Sequence, residues 1–321
     1  MKLTTEVICG KGSAPVGLDA PVCLLGSCFA DEIGRKMSDA GFCVLANPFG
    51  TLYNPASIAN AVARLDRPVP FREEDCVPLG AGDGRTGSFW HHTSFARSTA
   101  EEFLETANAA LAEAAAAWRE CGTVILSLGT AFVWRAIGRP GKPVVANCLK
   151  RPTREFAHDL LSTDECAELL RGVVEAHPEK RFIFTVSPIR HLGEGARANT
   201  VSKSTLHLAI QKTLESFAAG RSLPDERPGI IFRAVARKTN SGSAFPSAGD
   251  TDSIEYFPAY EILMDELRDY RFYAEDLVHP ATAAVEIIWE RFLDAYAVPS
   301  ELPRIRENEK ASRAARHRPL R

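Results

Sequence analysis

Val22-Cys23-Leu24-Leu25-Gly26-Ser27-Cys28-Phe29-Ala30 passes from a continuous apolar run through a glycine and a serine into a segment where Phe29, Ile33 and Met37 recur every four residues. Positions four apart share one face of a helix, and Gly41 is placed to end it. The stretch therefore reads as a buried strand (Val22 to Leu25), a tight turn and an amphipathic helix, the opening half of a βαβ unit. Phe42 to Leu45 follows as the second strand.

The same alternation continues downstream. Thr99 and Glu102 have capping-box spacing and open a helix along Leu104, Ala107, Leu111, Ala114 and Trp118. Thr123 to Leu128 is a buried strand, and Phe132 to Cys148 turns at Arg139-Pro140-Gly141 as a hairpin excursion. Ser162 and Glu165 cap a helix with Leu169, Leu170 and Val173 facing inward, and Phe182 to Val186 is the next strand. The strongest helical stripe is Val285, Ile288, Trp289, Phe292 and Leu293. The fold class expected is α/β, a parallel sheet wrapped by helices, in one domain over residues 1–302. Irregular insertions are expected at about 54–98, 132–152 and 234–253. Residues 303–321, crowded with Arg304, Arg306, Lys310, Arg313, Arg316, Arg318 and Arg321, read as a basic disordered tail.

Composition supports this and excludes other classes. In 321 residues, 45% are hydrophobic and 25% charged, enough apolar material for a sizeable core, so general disorder is excluded. No apolar run approaches the ~18 residues that span a bilayer, so no membrane partner is expected. Glu6 stands where a signal peptide would have its apolar core, which points to the cytoplasm. Eight cysteines without a C-x-x-C pair read mostly as buried thiols in a reducing compartment. A net charge of -3 gives no electrostatic ground for nucleic acid.

Several motifs carry less than they suggest. Gly82-Asp83-Gly84-Arg85-Thr86-Gly87 matches G-x-G-x-x-G, but no strand feeds it and no helix receives it. Gly10-Lys11-Gly12-Ser13 lacks the first glycine of a phosphate loop and reads as a turn. His91 and His92 are adjacent and point to opposite sides of an extended segment. His158, His177 and His207 read as surface or capping residues. No metal and no cofactor are expected. His191, in Ser187-Pro188-Ile189-Arg190-His191, directly follows a strand, where parallel sheets bind ligands, and is a candidate substrate contact.

Ser27 sits between a buried strand and a helix, which places its hydroxyl at the carboxyl edge of the sheet beside the N–H groups of the first helical turn. A plain N-cap would look the same. Asp276 and His279 lie three apart in Asp276-Leu277-Val278-His279-Pro280, just before the strongest helix. A carboxylate there can fix the imidazole tautomer while the ring reaches toward Ser27. The chain order Ser, Asp, His fits a nucleophile, an orienting carboxylate and a general base.

Gly26-Ser27-Cys28-Phe29-Ala30 resembles the signature of the GSCFA domain family, a group similar to the SGNH or GDSL hydrolases. The resemblance extends through Asn47-Pro48-Phe49-Gly50-Thr51-Leu52-Tyr53-Asn54-Pro55, Leu128-Gly129-Thr130-Ala131-Phe132-Val133-Trp134, Val145-Ala146-Asn147-Cys148, Ser187-Pro188-Ile189-Arg190-His191, and Tyr256-Phe257-Pro258-Ala259-Tyr260-Glu261-Ile262 to His279-Pro280. It implies a flavodoxin-like three-layer sandwich with Ser27 as nucleophile, His279 as base and Asp276 orienting it. By the same resemblance the N–H groups of Ser27 and Gly50 would hold the oxyanion. Ala131 stands where SGNH enzymes carry an asparagine, and Asn147 is the candidate replacement. Tyr53, Thr130 and His191 are the candidate substrate contacts. The expected activity is ester hydrolysis or acyl transfer, on an O-acyl group of a carbohydrate-like or other small molecule. Two alternatives stand beside it: a binding or scaffold module without turnover, and thiol chemistry at Cys28.

Overall fold

The computed structural model describes residues 4–219 and 254–316. Ten strands and eight helices are defined among them. The central sheet is built from β1 (Val22–Gly26), β2 (Val44–Ala46), β5 (Thr123–Leu128), β9 (Arg181–Val186) and β10 (Ile254–Tyr256), all parallel, in the spatial order β2-β1-β5-β9-β10. Renumbered within the sheet this order is 2-1-3-4-5, the flavodoxin arrangement. The chain reverses direction across the sheet between β1 and β5, and a crevice at the carboxyl ends of those strands is where such sheets bind ligands.

The strands are buried on both faces, and their alternation sorts the helices into two layers. Cys23, Leu25, Val124, Leu126, Phe182 and Phe184 meet α2 (Pro55–Asp66), α3 (Ala100–Glu120), α4 (Thr163–Glu175) and α5 (Ala196–Ala219). Val22, Leu24, Ile125 and Ile183 meet α1 (Cys28–Ala40), α7 (Thr282–Tyr296) and α8 (Leu302–Arg316). The result is the expected three-layer α/β sandwich. Helix α1 starts at an N-cap Ser27 and stops at Gly41, whose φ of 90° only glycine adopts readily. The capping box of Ser162 and Glu165 forms as expected.

Four expectations are corrected. The segment expected to be irregular from residue 54 opens with α2, because Asn54 caps the helix through the Ser57 N–H at 2.8 Å and Pro55 sits at its first position, where a missing N–H costs nothing. The second strand lies at Val44–Ala46, after a turn at residues 41–43. The hairpin excursion of β6 (Phe132–Ala136) and β7 (Val144–Val145) recruits β8 (Phe156–Leu160) into a three-stranded antiparallel sheet, so that insertion extends beyond residue 152. The disordered tail is α8 as far as residue 316. Ile305 is fully buried, Trp289 donates its indole N–H to Glu309 at 2.6 Å, and Asn308 donates to the Ala40 carbonyl at 2.9 Å. Burying an isoleucine contributes roughly 1.5–3 kcal/mol, enough to hold a charged helix against the sandwich. The loop expected at 234–253 lies outside the described residues. Two remaining short strands, β3 (Val77–Pro78) and β4 (Thr86–Gly87), form a ribbon, and the G-x-G-x-x-G run spans its turn and ends in β4. The remaining helix, α6, is the single turn Ala259–Glu261.

Candidate active site

Ser27 closes the carboxyl end of β1. Its hydroxyl accepts the Phe29 N–H at 3.3 Å, as an N-cap does, and lies 3.2 Å from the Ser127 hydroxyl at the end of β5. Its own N–H donates to the Ser127 carbonyl at 3.0 Å. The residue is fully buried. Gly26 makes this approach possible: its φ is 149°, and a Cβ there would stand 2.1 Å from the Ser127 carbonyl oxygen. Asn47 holds the turn from the other side. In a left-handed conformation (φ 42°), which asparagine tolerates, it accepts the Gly26 N–H at 2.8 Å and donates to Asp31 at 2.6 Å.

Asp276 and His279 occupy the loop before α7. One Asp276 oxygen accepts the backbone N–H groups of Val278 and His279, each at 2.9 Å, and the other lies 2.6 Å from His279 Nδ1. Those bonds from the His279 backbone and ring, with that from Val278, hold the Asp276 carboxyl down at about 2. The loop is tied by the Ala274 N–H to the His279 carbonyl at 2.8 Å, with Leu277 at φ 56° at its tip. Both side chains are about half exposed, 46% for His279 and 49% for Asp276. His279 opens onto a cleft of about 280 Å³ that it shares with Cys28, Phe29, Ile189 and Pro280. The carboxylate is therefore ionised and fixes the ring, the arrangement that leaves Nε2 to take a proton.

His191 joins the two halves. The Arg190 N–H donates to the Val278 carbonyl at 3.2 Å and its guanidinium to the Leu277 carbonyl at 3.2 Å, so the loop after β9 is docked on the loop of the Asp-His pair. His191 Nε2 is buried and has no hydrogen-bond partner among the described residues. It faces the crevice, since a side chain at Gly129 would meet it at 2.9 Å and Ser27 Cβ at 3.3 Å. The Tyr53 ring packs edge-on against it, with centroids 5.5 Å apart. Burial, with smaller contributions from Lys203 and His279, lowers the His191 pKa to about 3, so the ring is neutral at physiological pH.

The expected oxyanion residues are placed otherwise. The Ser27 N–H is bound to Ser127, and the Gly50 N–H donates to the Asn47 carbonyl at 2.8 Å inside the Asn47-Pro48-Phe49-Gly50 turn. Gly50 is glycine because its φ is 77° and because a Cβ would meet His92 at 2.4 Å. The Asn147 side-chain oxygen accepts the Leu149 N–H at 2.8 Å in a local turn beside the three-stranded sheet, and no hydrogen bond joins its amide to Ser27. The Thr130 hydroxyl is taken by Ser202 at 2.9 Å and by the Phe132 N–H at 3.1 Å, which makes it a structural tie. No hydrogen bond joins Ser27 to His279 in this structure. Cys28 lies 3.6 Å from the Tyr53 hydroxyl, and burial raises its thiol. Of the other histidines, His177 is buried between Asp66 and the Val173 carbonyl, each at 2.8 Å or less, rather than at the surface.

A protein-family model covers residues 21–222 and 241–292, most of the chain and both halves of this crevice: the GSCFA family. The chain belongs to the GSCFA family. No curated protein and no solved structure matches it. Among the described residues of this GSCFA chain no cluster could hold a metal, and no helix is long and apolar enough to cross a membrane. Sequence reasoning passed over Ser127 and Lys203. Lys203 is fully buried on α5, donates to the Ser187 carbonyl at 2.7 Å, and is lowered to about 7 by burial. On α5 it falls on the inward stripe of Leu206 and Ile210, a stripe that the polar residues of that helix hid in the sequence.

Proposed function

We propose that this GSCFA protein is a serine hydrolase or acyltransferase acting on an ester, with an O-acyl group on a carbohydrate-like or other small molecule as the substrate class. The observation that carries the reading is the Asp276–His279 pair, bonded at 2.6 Å, opening on a cleft walled by the residue that follows Ser27. Ser27 Oγ leaves Ser127 by rotation about its side chain and attacks the ester carbonyl, passing its proton to His279 Nε2. Collapse of the tetrahedral adduct expels the alcohol, which takes that proton. Water or a second alcohol then attacks the acyl-serine by the same route in reverse. Catalytic hydrogen bonds tighten on substrate binding, so an unliganded site need not hold them. With the Ser27 and Gly50 N–H groups engaged elsewhere, the donor proposed for the oxyanion is the neutral His191, in the tautomer that carries its proton on Nε2. An oxyanion donor of this kind is worth about 2.7–4 kcal/mol in the transition state.

A second reading, a binding module without turnover, draws on the complete burial of Ser27. The thiol reading has burial against it, since a raised thiol is a poor nucleophile. Fluorophosphonate labelling separates them. Wild type and Cys28→Ala are expected to label and Ser27→Ala not to. Folded wild type that stays unlabelled supports the binding module, and labelling lost only in Cys28→Ala supports the thiol.

A further inference from the structure

Ser27 has no surface open to solvent in this structure, so anything that reaches its hydroxyl has to wait for one wall of the crevice to move. Most of the walls are fixed. The ends of β1 and β5 are held by the parallel ladder that runs from Val22 and Thr123 to Gly26 and Ser127. Gly129 has no side chain to turn, and its N–H donates to the Tyr53 carbonyl at 2.8 Å. His191 donates its backbone N–H to Asn199 Oδ1 at 2.8 Å, its neighbour Arg190 is bonded to Val278 and Leu277, and its ring Nε2 is buried.

The Tyr53 side chain is a wall of a different kind. The Tyr53 carbonyl accepts the N–H groups of Gly129 and Thr130, each at 2.8 Å, which fixes the backbone, but the residue itself is only partly buried. Its ring packs edge-on against His191 with centroids 5.5 Å apart, and its hydroxyl lies 3.6 Å from Cys28 Sγ. Tyr53 thus reaches from one neighbour of Ser27 to the other. His191 Nε2 and Ser27 Cβ both stand within 3.3 Å of the place a Gly129 side chain would take, and Cys28 follows Ser27 in the chain. Apart from the weak sulfur contact, the hydroxyl has one hydrogen bond among the described residues, accepted from the Thr51 hydroxyl at 3.1 Å. A side chain held so lightly changes rotamer while its backbone stays in place.

We propose that the Tyr53 side chain is a gate over Ser27. Closed, it spans His191 and Cys28 and shuts the hydroxyl in. Turned outward about its Cα–Cβ bond, it joins Ser27 to the cleft that Cys28 and His279 line. Burial pushes the Tyr53 phenol up to about 12, so it keeps its proton, and the Thr51 bond persists across the working pH range. The gate goes beyond the hydrolase reading, because a nucleophile and a mere binding group at Ser27 need it equally.

Cys28, beside the same phenol, reports the gate without any catalysis. The full chain is treated with iodoacetamide at one fixed pH, and the rate at each cysteine is followed by mass spectrometry of its peptide. Tyr53→Phe and Thr51→Val are each expected to speed alkylation of Cys28 about threefold to tenfold, the worth of one neutral hydrogen bond. The double variant gains no more than either, because both delete the same bond. Tyr53→Ala, which removes the ring, exceeds them all; should it not fold, the two single-bond variants decide. The Tyr53 hydroxyl favours the Cys28 thiolate, so its loss alone would slow alkylation, and acceleration in Tyr53→Phe reads opening. Cys166, fully buried on α4, stays protected throughout, which separates opening of the gate from unfolding. Cys28 rates that are unchanged in the variants, or raised only together with those of Cys166, overturn the gate. Fluorophosphonate labelling of Ser27 in the same variants keeps the two readings apart: accelerated Cys28 with no labelling in any variant upholds the gate and overturns the hydrolase.

Discussion

The two halves of the candidate active site are built on opposite physical terms. Ser27 belongs to the sheet: it is fully buried, tied to Ser127 through both its N–H and its hydroxyl, and framed by a glycine whose Cβ could not exist. The Asp276–His279 pair belongs to a loop, half exposed and held by its own backbone bonds. The loop of His191, docked through Arg190, is the bridge between them. The contrast teaches where motion has to occur. On the proposed reaction the sheet edge supplies a side-chain rotation at Ser27 and the half-exposed loop supplies the approach of His279.

The largest effect tests whether the halves act as one unit. Ser27→Ala and His279→Ala are each expected to lower turnover of p-nitrophenyl acetate by roughly 10⁴, and the double variant to lose no more, because members of a triad act together. Losses that multiply would separate the halves. Next, Asp276→Asn is expected to cost about 10²-fold in kcat, less than the roughly 10⁴ seen where such a carboxylate is buried, because water partly replaces an exposed partner. With its carboxyl held at about 2, Asp276 stays ionised across the working range, so the acid limb of the pH-rate profile should not come from it. The smallest effect separates the halves by stability. His191 is lowered to about 3 from 6.5, so between those values the unfolded chain binds the proton and the folded one does not. Stability therefore falls as pH falls from 6.5 toward 3. Urea midpoints measured from pH 7 to 4 should show a shallower decline in His191→Gln, whereas Asp276→Asn should leave that decline intact above pH 4. An unchanged slope in His191→Gln would mean that its ring is solvated.

What the sequence made legible follows periodicity. The strand, turn and helix around Ser27 and the stripe from Val285 to Leu293 were readable because apolar spacing and caps agreed locally. Helix α2 was hidden by its own start signal, since Asn54-Pro55 serves equally as a loop or as a cap followed by a first-turn proline. Helix α5 was hidden by Ser, Thr, Lys and His along its length, and α8 by its charge, although Asp39 accepts from Ser312 at 2.7 Å and Ile305 anchors it. In the site, residue types and chain order were legible. The direction of a backbone N–H was not: Gly50 satisfies the spacing of an oxyanion donor, yet its N–H is spent within its own turn. The Asn147 side-chain oxygen is likewise turned to its own backbone, as an asparagine after a short strand readily is.

The pairing of Ser27 with Ser127 bears on the order of folding. The bond spans 100 residues of chain, and β9 and β10 pair with their sheet neighbours across shorter but still long separations, Thr123 with Arg181 and Phe182 with Ile254. Loop closure over such separations has to be met before the contacts repay it, so a sheet of this order forms on the millisecond-to-second scale rather than in microseconds. Helix α1 can gain its first turns early from its own cap and stripe. The crevice cannot, because the Ser27 hydroxyl has only the Phe29 N–H of its own helix cap until β5 has docked. Refolding followed by far-ultraviolet dichroism should thus run ahead of any signal from the site, and a nascent chain that ends before residue 123 would carry the GSCFA signature without the geometry that gives it meaning.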